Sequence, residues 1–229
     1  ILIIGAGATG LSAAITAASS GAKVILADED FLMGGRLNTE SLKINGMSGS
    51  KWAKDTVAAL SAMENVTLMS DTTIFGVYDH GIYGAIENRA SEAREDKDKP
   101  RQVNWRIYAK RSILCAGAIE RSIAFGNNDR PGIMLASAVR SYANRFAVAT
   151  GDKVSVYTNN DDGWNTARDL VLNNIRVVAV IDSRSIKPVL RVPGAEIFMG
   201  TNVVDTKGRK ALKSIKLSNG KSIDTDCLA

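Results

Sequence analysis

Hydrophobic and polar positions follow two rhythms along this chain. Short, wholly apolar runs such as "ILII" (1–4), "KVILA" (23–27) and "VVAV" (177–180) are of the kind buried on both faces of a parallel sheet. Between them, apolar residues recur at helical spacing. Leu11, Ala14, Ile15 and Ala18 fall at i, i+3, i+4 and i+7, which predicts a helix that starts just after the first run and stops at Gly21. A second helix is expected over 50–63, capped by Ser50, with Ala53, Val57 and Leu60 inward. "NVTLMSDTTIFGVYDHGIYGAIENRA" (65–90) reads as short strands broken by Gly76 and by the "DHG" turn. The charged stretch "SEAREDKDKPRQ" (91–102) reads as a loop tip, and "NWRIYAKRSILCAGAIER" (104–121) returns to strand.

The second half repeats the plan. A turn at Pro131-Gly132 precedes a helix with Leu135, Val139, Tyr142 and Phe146 on one face. Strand "KVSVYT", a helix over 162–173 carrying Trp164, Ala167, Leu170 and Val171, and strand "IRVVAVIDSR" follow, with Asp182 at the strand tip. "SIKL" and "KSID", joined through "SNG", form a hairpin signal. The pattern is α/β, with parallel sheets built from βαβ units. Its expected division is a dinucleotide-binding domain over 1–123, to which strand 225–229 returns, and a second, degenerate nucleotide-binding-like domain over 124–224. The chain opens directly on an apolar run and stops at "DCLA", so a longer parent polypeptide is expected.

The turn between the first strand and helix carries the chemistry. Gly5, Gly7 and Gly10 make G-x-G-x-x-G: the first permits a tight turn, the second lets backbone approach a pyrophosphate, and the third lets helix pack on strand. Ala8 and Thr9 would present helix N-terminal N–H groups to the phosphates. Asp28, with Glu29 beside it, ends the second strand at the spacing of a ribose-binding acid, which favours NAD or FAD over NADP. "FLMGGRLN" (31–38) adds Gly34 and Gly35 for close backbone approach, and Arg36 either offsets phosphate charge or is a surface cation. Thr73 and the small-residue strand end at Ala116 and Gly117 complete the expected cofactor contacts. In the second half, "TNNDDGW" (158–164) stands where another phosphate loop would. Asp161 and Asp162 would repel a pyrophosphate there, so it reads as a structural turn.

Composition narrows the classes. Apolar residues make up 45% and charged residues 23%, as in an ordinary globular protein. No run approaches the roughly 20 apolar residues that a membrane span needs. The net charge of +5 concentrates in "TKGRKALKSIKLSNGK" (206–221), which reads as a solvated strand face, since no basic stripe interleaved with aromatics suggests nucleic acid. Cys115 and Cys227 are too far apart in sequence for a redox pair, which excludes a self-sufficient disulfide reductase and makes a reduced, cytoplasmic setting the default. His80, the single histidine, reads as part of a turn. No metal site, catalytic base or nucleophile is expected.

"GAGATGLSAA", "TTIFGVYDH", "ILCAGAIERSIAFGNNDRPGIMLASAVRSYANRFAV" and "VYTNNDDGWNTARDL" together resemble the alpha subunit of heterotetrameric sarcosine oxidase and its proline and hydroxyproline dehydrogenase relatives. Ala8 stands where that family usually has Pro. The resemblance implies a two-dinucleotide-binding-domain flavoprotein fold of the disulfide-reductase type, in a parent several times longer. It implies NAD in the first loop, with FAD as the alternative, and beta, gamma and delta subunits as partners. The implied activity is demethylation of sarcosine to glycine, with the one-carbon unit passed to tetrahydrofolate and oxygen reduced to hydrogen peroxide. A non-catalytic scaffold holding structural NAD stays open.

Overall fold

The computed structural model describes residues 1–90, 94, 96, 98–185 and 191–229, which divide into two compact units, Ile1–Ala118 and Ile119–Ala229. In the first, β1 (Leu2–Ile4) leads through α1 (Ala8–Ser19) to β2 (Val24–Ala27). A short hairpin of β3 (Lys43–Ile44) and β4 (Met47–Ser48) then leads into α2 (Gly49–Ser61) and β5 (Val66–Met69). A meander of β6 (Thr72–Tyr78), β7 (Ile82–Asn88) and β8 (Gln102–Tyr108) is inserted before β9 (Ser112–Leu114). The parallel sheet has the order β5-β2-β1-β9, and the meander is a separate antiparallel sheet. Part of the charged loop expected at 91–102 lies outside the described residues.

Leu2, Ile3 and Leu26 are fully buried, as wholly apolar central strands require, and each such side chain stabilises the unit by about 1.5–3 kcal/mol. Gly10, Ala14 and Ala18 form the buried face of α1, and their small size lets the helix lie close to the sheet. Gly21 ends it with φ +85°, a left-handed conformation that a side chain would strain. The cap of α2 is Ser48 rather than the expected Ser50. Ser48 is extended and its hydroxyl accepts from Lys51 N at 3.3 Å, whereas Ser50 is already inside the helix.

The second unit begins with α3 (Ala136–Phe146), whose first N–H groups donate to the Glu120 carboxylate. β10 (Val154–Thr158), α4 (Asp161–Leu172), β11 (Val177–Asp182) and β12 (Glu196–Met199) follow, then a meander of β13 (Val203–Lys207), β14 (Ser214–Leu217) and β15 (Ser222–Asp224), and finally β16 (Cys227–Leu228). The parallel sheet is ordered β12-β11-β10-β16. Each unit therefore has its first strand central, the next two on one side, the last on the other, and a three-stranded meander inserted before the last. The expected repeat of βαβ units extends to the whole topology.

Two expectations change here. The strand at 225–229 does not return to the first sheet: Val154 and Ser155 of β10 pair with Cys227 and Leu228, and Ala229 N donates to Ser155 O. Its apolar residues belong to the core of the second unit, where Cys227 and Leu228 are buried. The face of α3 is also turned. Ala136, Val139, Arg140 and Ala143 are buried, while Tyr142 and Phe146 are exposed. The cause is a buried ion pair: Arg140 Nε donates to Asp169 Oδ2 at 2.8 Å and its Nη1 to Asp162 Oδ1 at 2.9 Å, both on α4. An apolar-periodicity rule scores arginine as a surface residue and so misplaces the stripe.

Candidate dinucleotide site

The three glycines of the first loop differ in what surrounds them. Gly5 adopts φ +96°, and a Cβ there would lie 2.5 Å from the Cys115 carbonyl oxygen. A Cβ on Gly10 would lie 1.8 Å from the Gly5 carbonyl oxygen. Both are required by the protein's own packing. Gly7 is not: its φ of −70° suits any residue, and a Cβ there would meet nothing within 4 Å. Gly7 is also the N-cap of α1, which has no side-chain cap and no acidic residue in its first turn. Ala8 and Thr9 are exposed there. The helix thus presents free N–H groups and a positive dipole end beside an open backbone surface, a fit for an anionic diphosphate.

The surroundings converge on this loop. Gly35, at φ +52°, packs against it, since a Cβ there would be 3.0 Å from Gly7 Cα. Gly34 is held by Asn38, whose amide donates to Leu32 O at 3.0 Å and Met33 O at 3.4 Å and leaves no room for a Cβ. At the strand end, Cys115 N donates to Ile4 O at 2.7 Å, and exposed Ala116 and Gly117 continue past the loop. Thr72 N donates to Asp28 O at 2.8 Å, which holds the start of β6, and with it exposed Thr73, at the tip of β2.

Asp28 and Glu29 have different roles. Asp28 is 8% exposed, and its carboxylate accepts from Ala6 N at 2.5 Å and Asp30 N at 2.8 Å. It ties the glycine loop to β2. Glu29 is exposed at the same tip. Arg36 pairs with Glu40, so its charge is engaged within its own turn. Ala6, Asn38 and Glu40 were not foreseen. Asn38, four residues after Gly34, was the legible signal, because an amide beside a Gly-Gly turn is a ready backbone clamp.

The corresponding place in the second unit is filled by the protein. Asn160 caps α4, its Oδ1 accepting from Asp162 N at 2.9 Å and Gly163 N at 3.4 Å. Asp182, fully buried at the tip of β11, accepts from Trp164 Nε1 at 2.8 Å and Arg184 Nη2 at 2.8 Å. The same Arg184 nitrogen reaches Asp161 at 2.9 Å. Burial works to raise the Asp182 pKa, but the Arg184 and Trp164 hydrogen bonds outweigh it and hold the carboxyl below its usual range. Asp182 and Asp161 in turn push the Arg184 guanidinium up. Among the described residues no group of His, Cys, Asp and Glu could hold a metal ion, and no helix is long and apolar enough to cross a membrane. His80 occupies an exposed turn in a left-handed conformation, with φ +62°.

Residues 1–106 match the family described as FAD dependent oxidoreductase. The whole chain is 41% identical to a region covering 24% of "Sarcosine oxidase subunit alpha" of Rhizobium meliloti (strain 1021). Over 92% of the chain it is 38% identical to 22% of the protein of the same name from Corynebacterium sp. (strain P-1). The chain therefore spans about a quarter of these relatives. Among solved structures, L-proline dehydrogenase from P. horikoshii superposes with a TM-score of 0.76 at 25% identity, over 99% of this chain and 40% of that one. Lactococcus lactis thioredoxin reductase superposes with a TM-score of 0.71 at 17% identity, over 99% of this chain and 75% of that one, a likeness of fold. The resemblance to sarcosine oxidase subunit alpha holds along the entire chain, and the fold is that of the two-dinucleotide-domain flavoproteins.

Proposed function

We propose that this chain is the dinucleotide-binding region of an oxidoreductase subunit of the sarcosine oxidase alpha type. The single observation that carries the reading is Gly7, a glycine that neither its backbone angles nor any protein neighbour requires. Its open surface suits a pyrophosphate, with the N–H groups of Ala8, Thr9 and Gly10 at the start of α1 as donors. Glu29, rather than Asp28, takes the adenosine ribose hydroxyls, because the Asp28 carboxylate is buried and holds Ala6 and Asp30. Gly35 packs against the Gly7 turn and Ala116 N lies beside Gly5; with Gly117 and Thr73 they are the further contacts proposed for the dinucleotide. Arg36, tied to Glu40, has at most a long-range charge role.

These groups address the ADP half that FAD and NAD share. The match of residues 1–106 to FAD dependent oxidoreductases supports FAD. NAD, the first expectation from the sequence resemblance, is the second reading, since the same groups address its ADP half. When bound, either group supplies a two-electron carrier; this chain's residues bind and orient it. The second unit is read as closed to nucleotide, its strand-tip acid being held by Arg184 and Trp164. The parent assembly is proposed to contain beta, gamma and delta subunits and to work in the cytoplasm. There it would convert sarcosine to glycine, pass the one-carbon unit to tetrahydrofolate and produce hydrogen peroxide.

The test is release of the bound group from the purified full-length parent by denaturation, followed by absorbance and chromatography. One adenine dinucleotide per alpha chain is expected, with a visible flavin band for FAD and none for NAD. Glu29→Gln should weaken binding about tenfold through one lost charge-assisted hydrogen bond of ~1.5 kcal/mol. A parent chain that carries and binds neither dinucleotide would end the proposal.

A further inference from the structure

The two meanders of this chain share one topology and differ on their outer faces. In the second, Ile215, Leu217, Val203 and Thr206 point inward, and apart from exposed Val204 at the register shift the alternate positions Asp205, Lys207, Ser214, Lys216, Ser222 and Asp224 are polar. That is the expected face for a sheet with one side in water. The first meander breaks this rule. Tyr83, Ala85 and Ile107 face the core, but the outer positions carry Phe75, Tyr78, Ile86 and Tyr108. Phe75, Tyr78 and Tyr108 are 52%, 56% and 66% exposed.

This face is built rather than merely exposed. Gly76 and Gly84 sit directly opposite one another across β6 and β7. A Cβ on Gly84 would lie 2.6 Å from the Phe75 ring, and one on Gly76 would lie 2.6 Å from the Tyr78 hydroxyl. The paired glycines leave a notch, and the two rings lie over it, Phe75 from the irregular register between Ile74 and Gly76. Rings laid on a sheet lose little further freedom on binding, which makes them good interface anchors. Arg106 stands opposite Gly84 on the same face, and Lys110 and Arg111 follow at the end of β8, all exposed, with Asp79 the acid at that end.

We propose that the outer face of β6-β7-β8 docks another subunit of the parent assembly, one whose matching surface is an apolar patch rimmed by Asp and Glu. The four apolar side chains expose on the order of 400 Å², the size at which a monomer's largest patch is often functional. That area suits the apolar centre of an interface burying ~800 Å² per partner, whose polar rim Arg106, Lys110 and Arg111 begin. A second copy is a poorer occupant, because a two-fold contact would set these cations against their own counterparts. The inference rests on the multi-subunit reading above and is independent of which dinucleotide binds.

The full-length alpha chain and its partner subunits, purified separately, provide the test. Tyr108→Glu and Arg106→Glu should each weaken assembly at least tenfold in sedimentation or calorimetry, and raised salt should weaken the wild-type complex. Lys216→Glu, on the second meander, is the control and should leave assembly unchanged. Retained nucleotide and thermal midpoint certify that each variant is folded. Unchanged assembly in both variants overturns the proposal. So does protection of Tyr78 and Tyr108 from iodination in the isolated alpha chain, which would assign the face to another part of the same polypeptide. Self-association of the alpha chain abolished by Tyr108→Glu would assign it to a second copy and overturn it as well. If assembly depends on this face but no dinucleotide is found, the docking inference stands and the nucleotide reading fails.

Discussion

Replacing Gly7 and Gly10 separately by alanine should produce opposite defects, because the two glycines serve different masters. At Gly10 the added methyl would sit 1.8 Å from the Gly5 carbonyl oxygen and 3.4 Å from Cys115 Cβ. The obstructing atom is backbone, so loop and helix must separate, at about 3 kcal/mol, the upper end of ordinary overpacking costs. In a chain of this size that lowers the thermal midpoint by roughly 6–12 °C. At Gly7 the methyl meets no protein atom within 4 Å and the backbone is unstrained. A small loss at the N-cap and a small gain from a stiffer unfolded chain leave stability within about 1 kcal/mol. The same methyl stands where a diphosphate must approach, and displacing one charge-assisted hydrogen bond costs ~1.5–3 kcal/mol. Dinucleotide affinity should therefore fall about 10- to 100-fold in Gly7→Ala with the fold intact. Calorimetric titration of the apo parent chain with FAD and NAD, beside thermal unfolding of both variants, measures the two effects. If Gly7→Ala binds like wild type, or melts as early as Gly10→Ala, the assignment of Gly7 to a ligand is refuted.

Other consequences follow from the second unit and the thiols. Arg140→Ala takes the 2.8 Å guanidinium partner from the buried Asp169 carboxylate, leaving Asn144 and the more distant Arg168, and should cost about 3 kcal/mol in urea unfolding; a loss under about 1 kcal/mol would contradict a buried, paired charge. Asp182 is held below its usual pKa when folded, so its contribution to stability is present above the ordinary aspartate value of 3.8 and is lost as pH falls through the lower folded value. Acid unfolding followed by tryptophan fluorescence should be shallower below that pH in Asp182→Asn, and an unchanged pH profile would refute the linkage. Burial pushes both thiols up, at Cys227 reinforced by the Asp226 charge and opposed by the Thr150 hydroxyl. Disulfide-exchange reagents should therefore label the native chain slowly at neutral pH and both cysteines rapidly in denaturant, and fast native labelling would contradict the burial.

Much of this protein is determined locally and could be read from its residues. The G-x-G-x-x-G turn, the helix it opens, the Gly21 stop and the parallel strands follow from short-range sterics and apolar periodicity, as does the hairpin between "SIKL" and "KSID". "TNNDDGW" likewise announces a turn that its own side chains can build, and Asn160 caps the helix there.

What tertiary structure alone decided concerns partners distant in sequence. Which of Asp28 and Glu29 faces outward depends on Ala6, some twenty residues earlier, donating its N–H to one of them. The strand at 225–229 is short and apolar enough for either sheet, and only pairing with β10 chose the second. Arg140 turned α3 because Asp162 and Asp169 supply charge in the core that no periodicity rule counts. Arg184 closes the second turn by bridging Asp161 and Asp182, acids that lie apart in sequence and meet only when α4 packs on β11. Side-chain spacing fixes local conformation, whereas long-range hydrogen bonds and ion pairs decide which of several equally suitable groups is left free for a ligand.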